Sequence, residues 1–170
     1  MKMILDFDQE KCSACGACAI ACMDQNDIEV EEHVTPLRTV CQFERADDKR
    51  GCLGFLSIAC MHCDDAPCIK ACPAGCIAMD PDTGFTIYDN TNCIGCHSCS
   101  MACPFGAPSF DQNGKMIKCD GCAVRVSLGL VPACVRVCPT GALTMETEEE
   151  YVNAKRKQSL QKIIKNMGVL

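Results

Sequence analysis

The chain of 170 residues contains no tryptophan, and its Phe and Tyr side chains number only six and two. A domain of this size normally depends on large apolar side chains to build its core. Here such a core would be thin. Covalent cross-links or bound metal must therefore replace part of the missing hydrophobic volume.

Long apolar runs are also missing. The longest, Leu128–Val135, contains a glycine and a proline and is far shorter than the roughly 20 residues that span a bilayer. Met1–Asp6 shows neither the basic region nor the apolar stretch of a secretory signal. No Gly-rich phosphate loop, flavin motif or nucleophile–base pair is visible. We expect a soluble, cytoplasmic, non-catalytic protein.

Cysteine is present in excess, with 19 residues. Disulfides need an oxidising compartment, which the absence of a secretory signal does not favour. Structural zinc usually combines C-x2-C pairs, sometimes with histidine, but His33, His62 and His97 follow no ligand spacing. Iron–sulfur clusters are the favoured explanation, because their ligands come in fours and the remaining cysteines can be free thiols.

Sixteen cysteines form four tetrads whose spacing is typical of two-cluster ferredoxins. In such proteins three closely spaced thiolates hold one [4Fe–4S] cube, and the fourth, usually followed by Pro, reaches the other cube. Met23 stands where the first tetrad would have that Pro. The tetrads are Cys12, Cys15, Cys18 and Cys22; Cys60, Cys63, Cys68 and Cys72; Cys93, Cys96, Cys99 and Cys103; and Cys119, Cys122, Cys134 and Cys138.

An internal repeat suggests how the tetrads pair. Ile4–Asp8 before the first tetrad matches Thr86–Asp89 before the third, and Cys138–Met145 matches Cys72–Met79. The strand after the fourth tetrad should then pair with the strand before the first. This favours nested cluster pairs, one with four and two with three, over sequential pairs.

The nested arrangement predicts four ligand sets. They are Cys12, Cys15, Cys18 with Cys138; Cys119, Cys122, Cys134 with Cys22; Cys60, Cys63, Cys68 with Cys103; and Cys93, Cys96, Cys99 with Cys72. The formal charge of −6 would fall to about −14 with four clusters bound. Such a charge argues against binding nucleic acid or anionic membranes.

The predicted fold is α+β, with two nested ferredoxin-like units, short hairpins and a C-terminal amphipathic helix. Strands are predicted at Met3–Phe7, at Leu37–Phe43 pairing with Leu53–Ala59, and at Ile77–Met79 pairing with Phe85–Tyr88. The domains are residues 1–23 with 115–146, residues 53–110, a connecting insertion at 24–52, and a partner or oligomerisation helix at 147–170.

Several residues near the tetrads lie outside the predicted ligand sets. Cys76 matches Ala142 in the repeat and should be a small buried residue, and Cys41 and Cys52 are expected to be free core thiols. His62 and His97 are expected to adjust the surroundings of a cluster rather than to ligate it. Lys118 either offsets cluster charge or is an ordinary surface lysine.

Two apolar segments are candidates for contact with partners. The insert Ala123–Ala133 either shields a cluster from water or forms a docking surface. Thr147 is a predicted N-cap followed by three glutamates, and Gly168 a predicted stop. Between them, Leu160, Ile163, Ile164 and Met167 form an apolar stripe, which either packs on its own chain or binds a partner or a second copy; a helix on a membrane surface is a third reading.

The tetrad order, and above all Cys119–Cys122 followed by Gly129–Cys134 and Cys138–Leu143, resembles the four-cluster ferredoxin subunits of molybdopterin oxidoreductases. Dimethyl sulfoxide reductase, formate dehydrogenase and formate hydrogenlyase contain such subunits. The resemblance covers residues 1 to about 145, with cysteine at all sixteen ligand positions of the family. It implies four [4Fe–4S] clusters and the same nested pairing.

Without the long insertions and membrane tail of the larger respiratory versions, the chain is more similar to short subunits that link formate dehydrogenase to hydrogenase. Those of hydrogen-dependent carbon dioxide reductase are included, and they polymerise through a C-terminal helix. The resemblance implies an electron-transfer subunit between a formate dehydrogenase and a hydrogenase, with a filament as one form of the complex. A free-standing polyferredoxin and a cysteine-rich structural zinc module are the alternatives.

Overall fold

The computed structural model describes residues 1–29, 36–44 and 53–167 and shows a mixed α+β chain of short elements. The strands are β1 (Met3–Phe7), β2 (Thr39–Glu44), β3 (Leu53–Ile58), β4 (Ile77–Met79), β5 (Thr86–Tyr88), β6 (Ser109–Phe110), β7 (Met116–Ile117) and β8 (Leu143–Thr147). The helices are α1 (Ala17–Gln25), α2 (Pro67–Ala71), α3 (Ser98–Ala102), α4 (Ala123–Ser127), α5 (Ala133–Val137) and α6 (Glu148–Asn166).

The strands pair in antiparallel ribbons of two. β1 pairs with β8 in a register that runs from Met3 opposite Thr147 to Phe7 opposite Leu143. β4 pairs with β5 as a local hairpin. Both pairings confirm the predictions from the internal repeat. The β1–β8 ribbon brings the two ends of the cysteine-rich region together.

The ribbon of β2 and β3 is also confirmed, but the first strand begins later than predicted. Leu37 and Arg38 precede β2 and are buried. The Arg38 guanidinium donates hydrogen bonds to the carbonyl and hydroxyl oxygens of Ser57, at 3.4 and 3.0 Å, so its side chain turns inward. The sequence does not predict the ribbon of β6 and β7, because strands of two residues carry no alternation of polar and apolar side chains.

A short helix carries the third cysteine of each tetrad, and the fourth cysteine lies at or near the end of that helix. α2, α3 and α5 end directly before a cysteine that is followed by Pro, since Pro disfavours a helical conformation in the preceding residue. α1 is longer because Met23 replaces that Pro. It continues past Cys22 to Gln25.

The core consists of small clusters of side chains rather than one continuous hydrophobic interior. Each of the three clusters contains predicted ligand cysteines: Cys68 and Cys99 in one, Cys22 and Cys119 in another, and Cys18 and Cys134 in the last. Apolar contacts alone therefore give this part of the chain a thin core, as the shortage of aromatic residues predicts.

Helix α6 begins as predicted. The Thr147 hydroxyl accepts a hydrogen bond from the Glu150 amide at 3.2 Å, and the Glu150 carboxylate accepts one from the Thr147 amide at 3.0 Å. This reciprocal pair is a capping box. The predicted stop at Gly168 lies outside the described residues. Among the described helices, none has the combination of length and apolar character that crossing a membrane requires.

Candidate metal centres

One predicted ligand set lines a single cavity. Cys12, Cys15 and Cys18 reach it from the loop after β1 and the start of α1, and Cys138 reaches it from the end of α5. The β1–β8 ribbon explains this meeting, because one strand leads into the triplet and the other follows Cys138. Phe7, Val40 and Leu143 supply apolar walls.

A second cavity is the counterpart of the first. Cys93, Cys96 and Cys99 line it together with Cys72. Here a local hairpin takes the place of the long-range ribbon, because Cys72 precedes β4 and the triplet follows β5. The non-ligand Cys76 also lines this cavity and is buried, which confirms the expectation for it.

The set of Cys60, Cys63, Cys68 and Cys103 lies where α2 packs against α3. Burial raises the pKa of Cys63 and of Cys68, and negative charge on Cys60 and Cys103 raises both further. Cys63 packs against the cluster of buried side chains that contains Cys68. A centre bound there as thiolate must displace these protons.

The remaining set lies where α1 packs against α5. Burial raises the pKa of Cys22 to about 12, and Cys134 and Cys122 add to the shift. Burial likewise raises the pKa of Cys119 to about 12, with contributions from Cys22 and from Cys60 of the neighbouring set. The structure therefore brings this set together and places it beside the set of Cys60.

Backbone conformation repeats among the tetrads. The residue before the second cysteine has a left-handed conformation in all four: Ala14 at φ 52°, His62 at 46°, Gly95 at 64° and Gly121 at 75°. Two of these four are not glycine, although this region costs other residues energy. Alternating right- and left-handed residues form concavities of amide groups that bind anions, including iron–sulfur clusters. The backbone thus fits an anionic centre.

The fourth cysteines share another feature. The sulfur of Cys72, Cys103 and Cys138 accepts a hydrogen bond from the amide four residues later, at 3.2, 3.5 and 3.2 Å respectively. Amide donors of this kind stabilise negative charge on a ligand sulfur and raise the potential of the centre it binds.

Two cationic side chains are buried among the ligand sets. Lys118 is 1 % exposed and Arg38 is 3 % exposed. The Lys118 amino group lies 4.0 Å from the Cys60 sulfur, and the Ser57 hydroxyl that accepts from Arg38 lies 3.4 Å from the Cys18 sulfur. Lys118 is therefore not an ordinary surface lysine. Buried cations of this kind fit negatively charged centres.

His62 and His97 occupy different environments. His62 is buried, stacks on Phe85 with 4.5 Å between ring centroids, and has its pKa lowered to about 3 by burial and by the charges of Lys118 and Arg38. It is neutral at ordinary pH. His97 is exposed, lines the cavity of the Cys93 set and lies 3.8 Å from the Phe110 ring.

Disulfides and single-ion sites find no support in the described part of the chain. All 18 cysteines described there are free thiols. No group of three or more His, Cys, Asp or Glu side chains among the described residues converges to hold one metal ion, as zinc would require. The sulfurs of two of the four ligand sets line cavities instead, which suits a cluster better than an ion.

The sequence predictions are wrong at one cysteine and miss several neighbours of the ligands. Cys41 is exposed and is not a core thiol, because it lies on the face of the β2–β3 ribbon opposite to the buried Ser57. Cys52 and His33 lie outside the described residues. Four polar residues contact ligand cysteines or their partners, but no spacing rule identifies them: Arg38, Ser57, Thr86 and Asn26.

Residues 52–148 match the family described as "4Fe-4S dicluster domain". The B subunit of the anaerobic dimethyl sulfoxide reductase of Haemophilus influenzae is 39% identical over 151 residues, with 85% of this chain and 73% of that protein covered. The iron–sulfur subunit of the nitrate-inducible formate dehydrogenase of Escherichia coli is 36% identical over 161 residues, with 86% and 54% covered.

The hydrogenase-2 operon protein HybA of Escherichia coli O157:H7 is 31% identical over 176 residues, with 89% of this chain and 54% of that protein covered. The cysteine sets, the anion-binding backbone and these similarities lead to one conclusion. The protein binds four [4Fe–4S] clusters.

Proposed function

The chain belongs to the 4Fe-4S dicluster domain family, and on that premise we propose that it relays electrons between a formate dehydrogenase and a hydrogenase within a larger complex. More generally, it is an iron–sulfur electron-transfer subunit of an oxidoreductase. When bound, each cluster accepts and releases one electron. The chain itself holds the clusters, spaces them and controls their exposure.

The proposal assigns the ligands as the four sets named above and groups them in nested units. Residues 1–23 with 115–146 form one unit, and residues 53–110 form the other. Support comes from the two cavities, each of which gathers a triplet and the fourth cysteine of a different tetrad. Sequential pairing of the tetrads would instead place Cys72 with the Cys12 triplet and Cys138 with the Cys93 triplet.

The order of the sets along the molecule carries the functional proposal. Helix α1 bears Cys18 of one set and Cys22 of another, four residues or about 6 Å apart along the axis. Cys60 packs against the cluster of buried side chains that contains Cys119 of that second set. Helix α2 bears Cys68 and ends at Cys72, which belongs to the last set. The four sets therefore form a row in space. Named by the first cysteine of each triplet, their order is Cys12, Cys119, Cys60 and Cys93.

Among the sixteen ligand cysteines, the two that are exposed belong to the end sets. Cys15 and Cys96 are exposed, whereas Cys119 is buried. We therefore place the entry and exit of electrons at the ends of the row, where an exposed ligand cysteine faces an approaching partner protein.

Two surfaces support a place within a complex. Val124 and Leu128 on the insert after Cys122 are 72% and 71% exposed, which favours docking over shielding. The long helix α6 also leaves its apolar stripe open, with Leu160, Ile163 and Ile164 exposed. Its polar face lines the groove that faces β1 and the loop after it, through Gln158, Lys162 and Lys165.

The stripe of α6 is thus directed away from its own chain in the described residues. We assign it to contact with a partner subunit or with a second copy, which would extend the relay into a filament. We also propose a cytoplasmic location.

The test is an affinity purification of the tagged full chain from its native cells under anaerobic conditions. Co-elution of formate dehydrogenase and hydrogenase activities, with formate-driven hydrogen production in the eluate, is the expected result. A sulfoxide reductase is the competing partner, because the relative of that name is 39% identical. Its co-elution alone would replace the formate proposal. Elution of a lone monomer would identify a free polyferredoxin.

A further inference from the structure

Lys118 presents a buried positive charge with only neutral acceptors around it. Its amino group donates to the carbonyl oxygen of Thr86, to the Thr86 hydroxyl at 3.0 Å and to the carbonyl oxygen of Cys119 at 2.9 Å. None of the ion pairs among the described residues includes Lys118. A buried charge without an opposite charge is strongly unfavourable, so another negative group must balance it.

The ligand sets on either side of Lys118 supply that negative charge. Its amino group lies 4.0 Å from the Cys60 sulfur, and its own backbone leads directly into Cys119. A [4Fe–4S] centre with four thiolates carries a charge of about −2 when oxidised and one more negative charge when reduced. Lys118 therefore lies between two anionic centres that belong to different nested units.

His62 connects the same two sets. The Thr86 amide donates to His62 Nδ1 at 3.1 Å, so the ring hydrogen is on Nε2. Nε2 lies 3.7 Å from the Cys119 sulfur, to which it donates. Because His62 directly precedes Cys63, a single residue links the ligands of one set to a ligand sulfur of the other.

Thr86 holds both side chains in place. Its hydroxyl oxygen lies 3.0 Å from the Lys118 amino group, 3.3 Å from His62 Nδ1 and 3.4 Å from the Cys60 sulfur. Thr86 is itself 1 % exposed. Nearby, a side chain at Gly121 would overlap the Phe85 ring, which stacks on His62. The network is therefore buried, and bulk water screens its charge less than it would at the surface.

We propose that Lys118 and His62 form the electrostatic junction between the two nested units and raise the reduction potentials of both inner clusters. The proposal rests on the four-cluster relay and adds a role for residues that ligate nothing. Lys118 stabilises the extra negative charge of the reduced state on both sides. His62 does so at the Cys119 sulfur alone. Lys118 and His62 bind no iron and act on the clusters only through charge and hydrogen bonding.

The test is a redox titration of the full chain, followed by electron paramagnetic resonance under anaerobic conditions. Lys118→Gln should lower two of the four potentials and leave the other two unchanged. Lys70→Gln is the matched control, because Lys70 lies on α2 between Cys68 and Cys72 but its side chain is 67% exposed and paired with Asp65. Water screens that charge, so its removal should move no potential appreciably.

His62→Phe keeps an aromatic ring against Phe85 but removes the donor to Cys119, so it should lower one potential. If Lys118→Gln fails to retain iron, His62→Phe decides: one lowered potential supports the junction and four unchanged potentials overturn it. A full iron complement with unchanged potentials in Lys118→Gln also overturns it. Wild-type protein with fewer than about sixteen irons per chain would instead contradict the four-cluster relay itself.

Discussion

The side-chain amide of Asn26 donates a hydrogen bond to the sulfur of Cys22, 3.6 Å away, and a second to the Cys22 carbonyl oxygen at 2.7 Å. The other fourth cysteines receive a backbone amide from the residue four positions later. At Cys22 that backbone amide is occupied, because the Asn26 N–H donates to the Met23 carbonyl oxygen at the end of α1. The Asn26 side chain therefore replaces the donor that the missing Pro would have freed.

Replacing Asn26 with Leu should lower the reduction potential of one cluster, the one held by Cys22 and the Cys119 triplet, with iron content unchanged. Leu has a similar volume but cannot donate to sulfur, so the reduced state loses a stabilising hydrogen bond. The same redox titration measures this. Gln25→Leu, at the adjacent last residue of α1 and exposed, is the control and should have no effect. If the reduction potential in Asn26→Leu is unchanged, the Asn26 side chain does not replace the backbone donor at Cys22.

In the nested arrangement, the fourth cysteine of each tetrad binds the cluster of another tetrad. This arrangement predicts which pairs of cysteines bind the same cluster. Cys22→Ser and Cys119→Ser should each lose about four irons, and the double variant should lose no more than either alone. Cys22→Ser combined with Cys15→Ser should lose about twice as much, because those residues serve different clusters. Iron and protein quantification measures the losses.

Cys41→Ser is the matched control for that series, because Cys41 is exposed on β2 and outside the four sets. It should retain all of its iron. Additive losses for Cys22 with Cys119, together with non-additive losses for Cys22 with Cys15, would establish pairing within tetrads instead.

The apolar stripe of α6 predicts a defect in assembly without a defect in cluster content. Ile163 is 54% exposed in the isolated chain, so Ile163→Glu should not affect folding. The added charge lies in the apolar stripe and should weaken the binding of an apolar partner. Light scattering should show smaller particles, and the brown colour of the protein should be unchanged. Gln158→Glu adds the same charge on the opposite face and should leave particle size unchanged. Equal sizes for wild type and Ile163→Glu would remove α6 from the interface.

The capping box predicts the stability of that helix. Thr147→Ala removes the acceptor for the Glu150 amide and should cost the helix about 1 kcal/mol. Amide hydrogen exchange should become faster in the first turns of α6, whereas exchange around the clusters stays unchanged. Ser159→Ala, within the exposed helix, provides the comparison. Slower or unchanged exchange in Thr147→Ala would contradict the assigned start of α6.

Sequence reasoning finds the parts of the molecule that obey spacing rules. The cysteine tetrads, the N-cap at Thr147 and the pairing of β1 with β8 all follow from short motifs or from the internal repeat. Residues that act through space are beyond it. Asn26, Arg38 and Thr86 are ordinary polar residues until the chain folds and brings their side chains to a ligand sulfur or a buried cation.

The role of Lys118 also could not be decided from the sequence. Its position before Cys119 suggests a role in offsetting charge, but an ordinary surface lysine fits the sequence nearly as well. Only its burial against Thr86 and near Cys60 distinguishes the two. Cys41 shows the opposite error, since a cysteine on an apolar strand is expected in the core but lies at the surface.

Anomalous X-ray diffraction at the iron edge, on crystals grown anaerobically, tests the four-cluster relay most directly. The account predicts four compact iron sites in one row, held in turn by the triplets of Cys12, Cys119, Cys60 and Cys93, with each fourth cysteine contributed by the other tetrad of its nested pair. Anomalous signal at the zinc edge, fewer than four iron sites, or iron sites bound within single tetrads would contradict it.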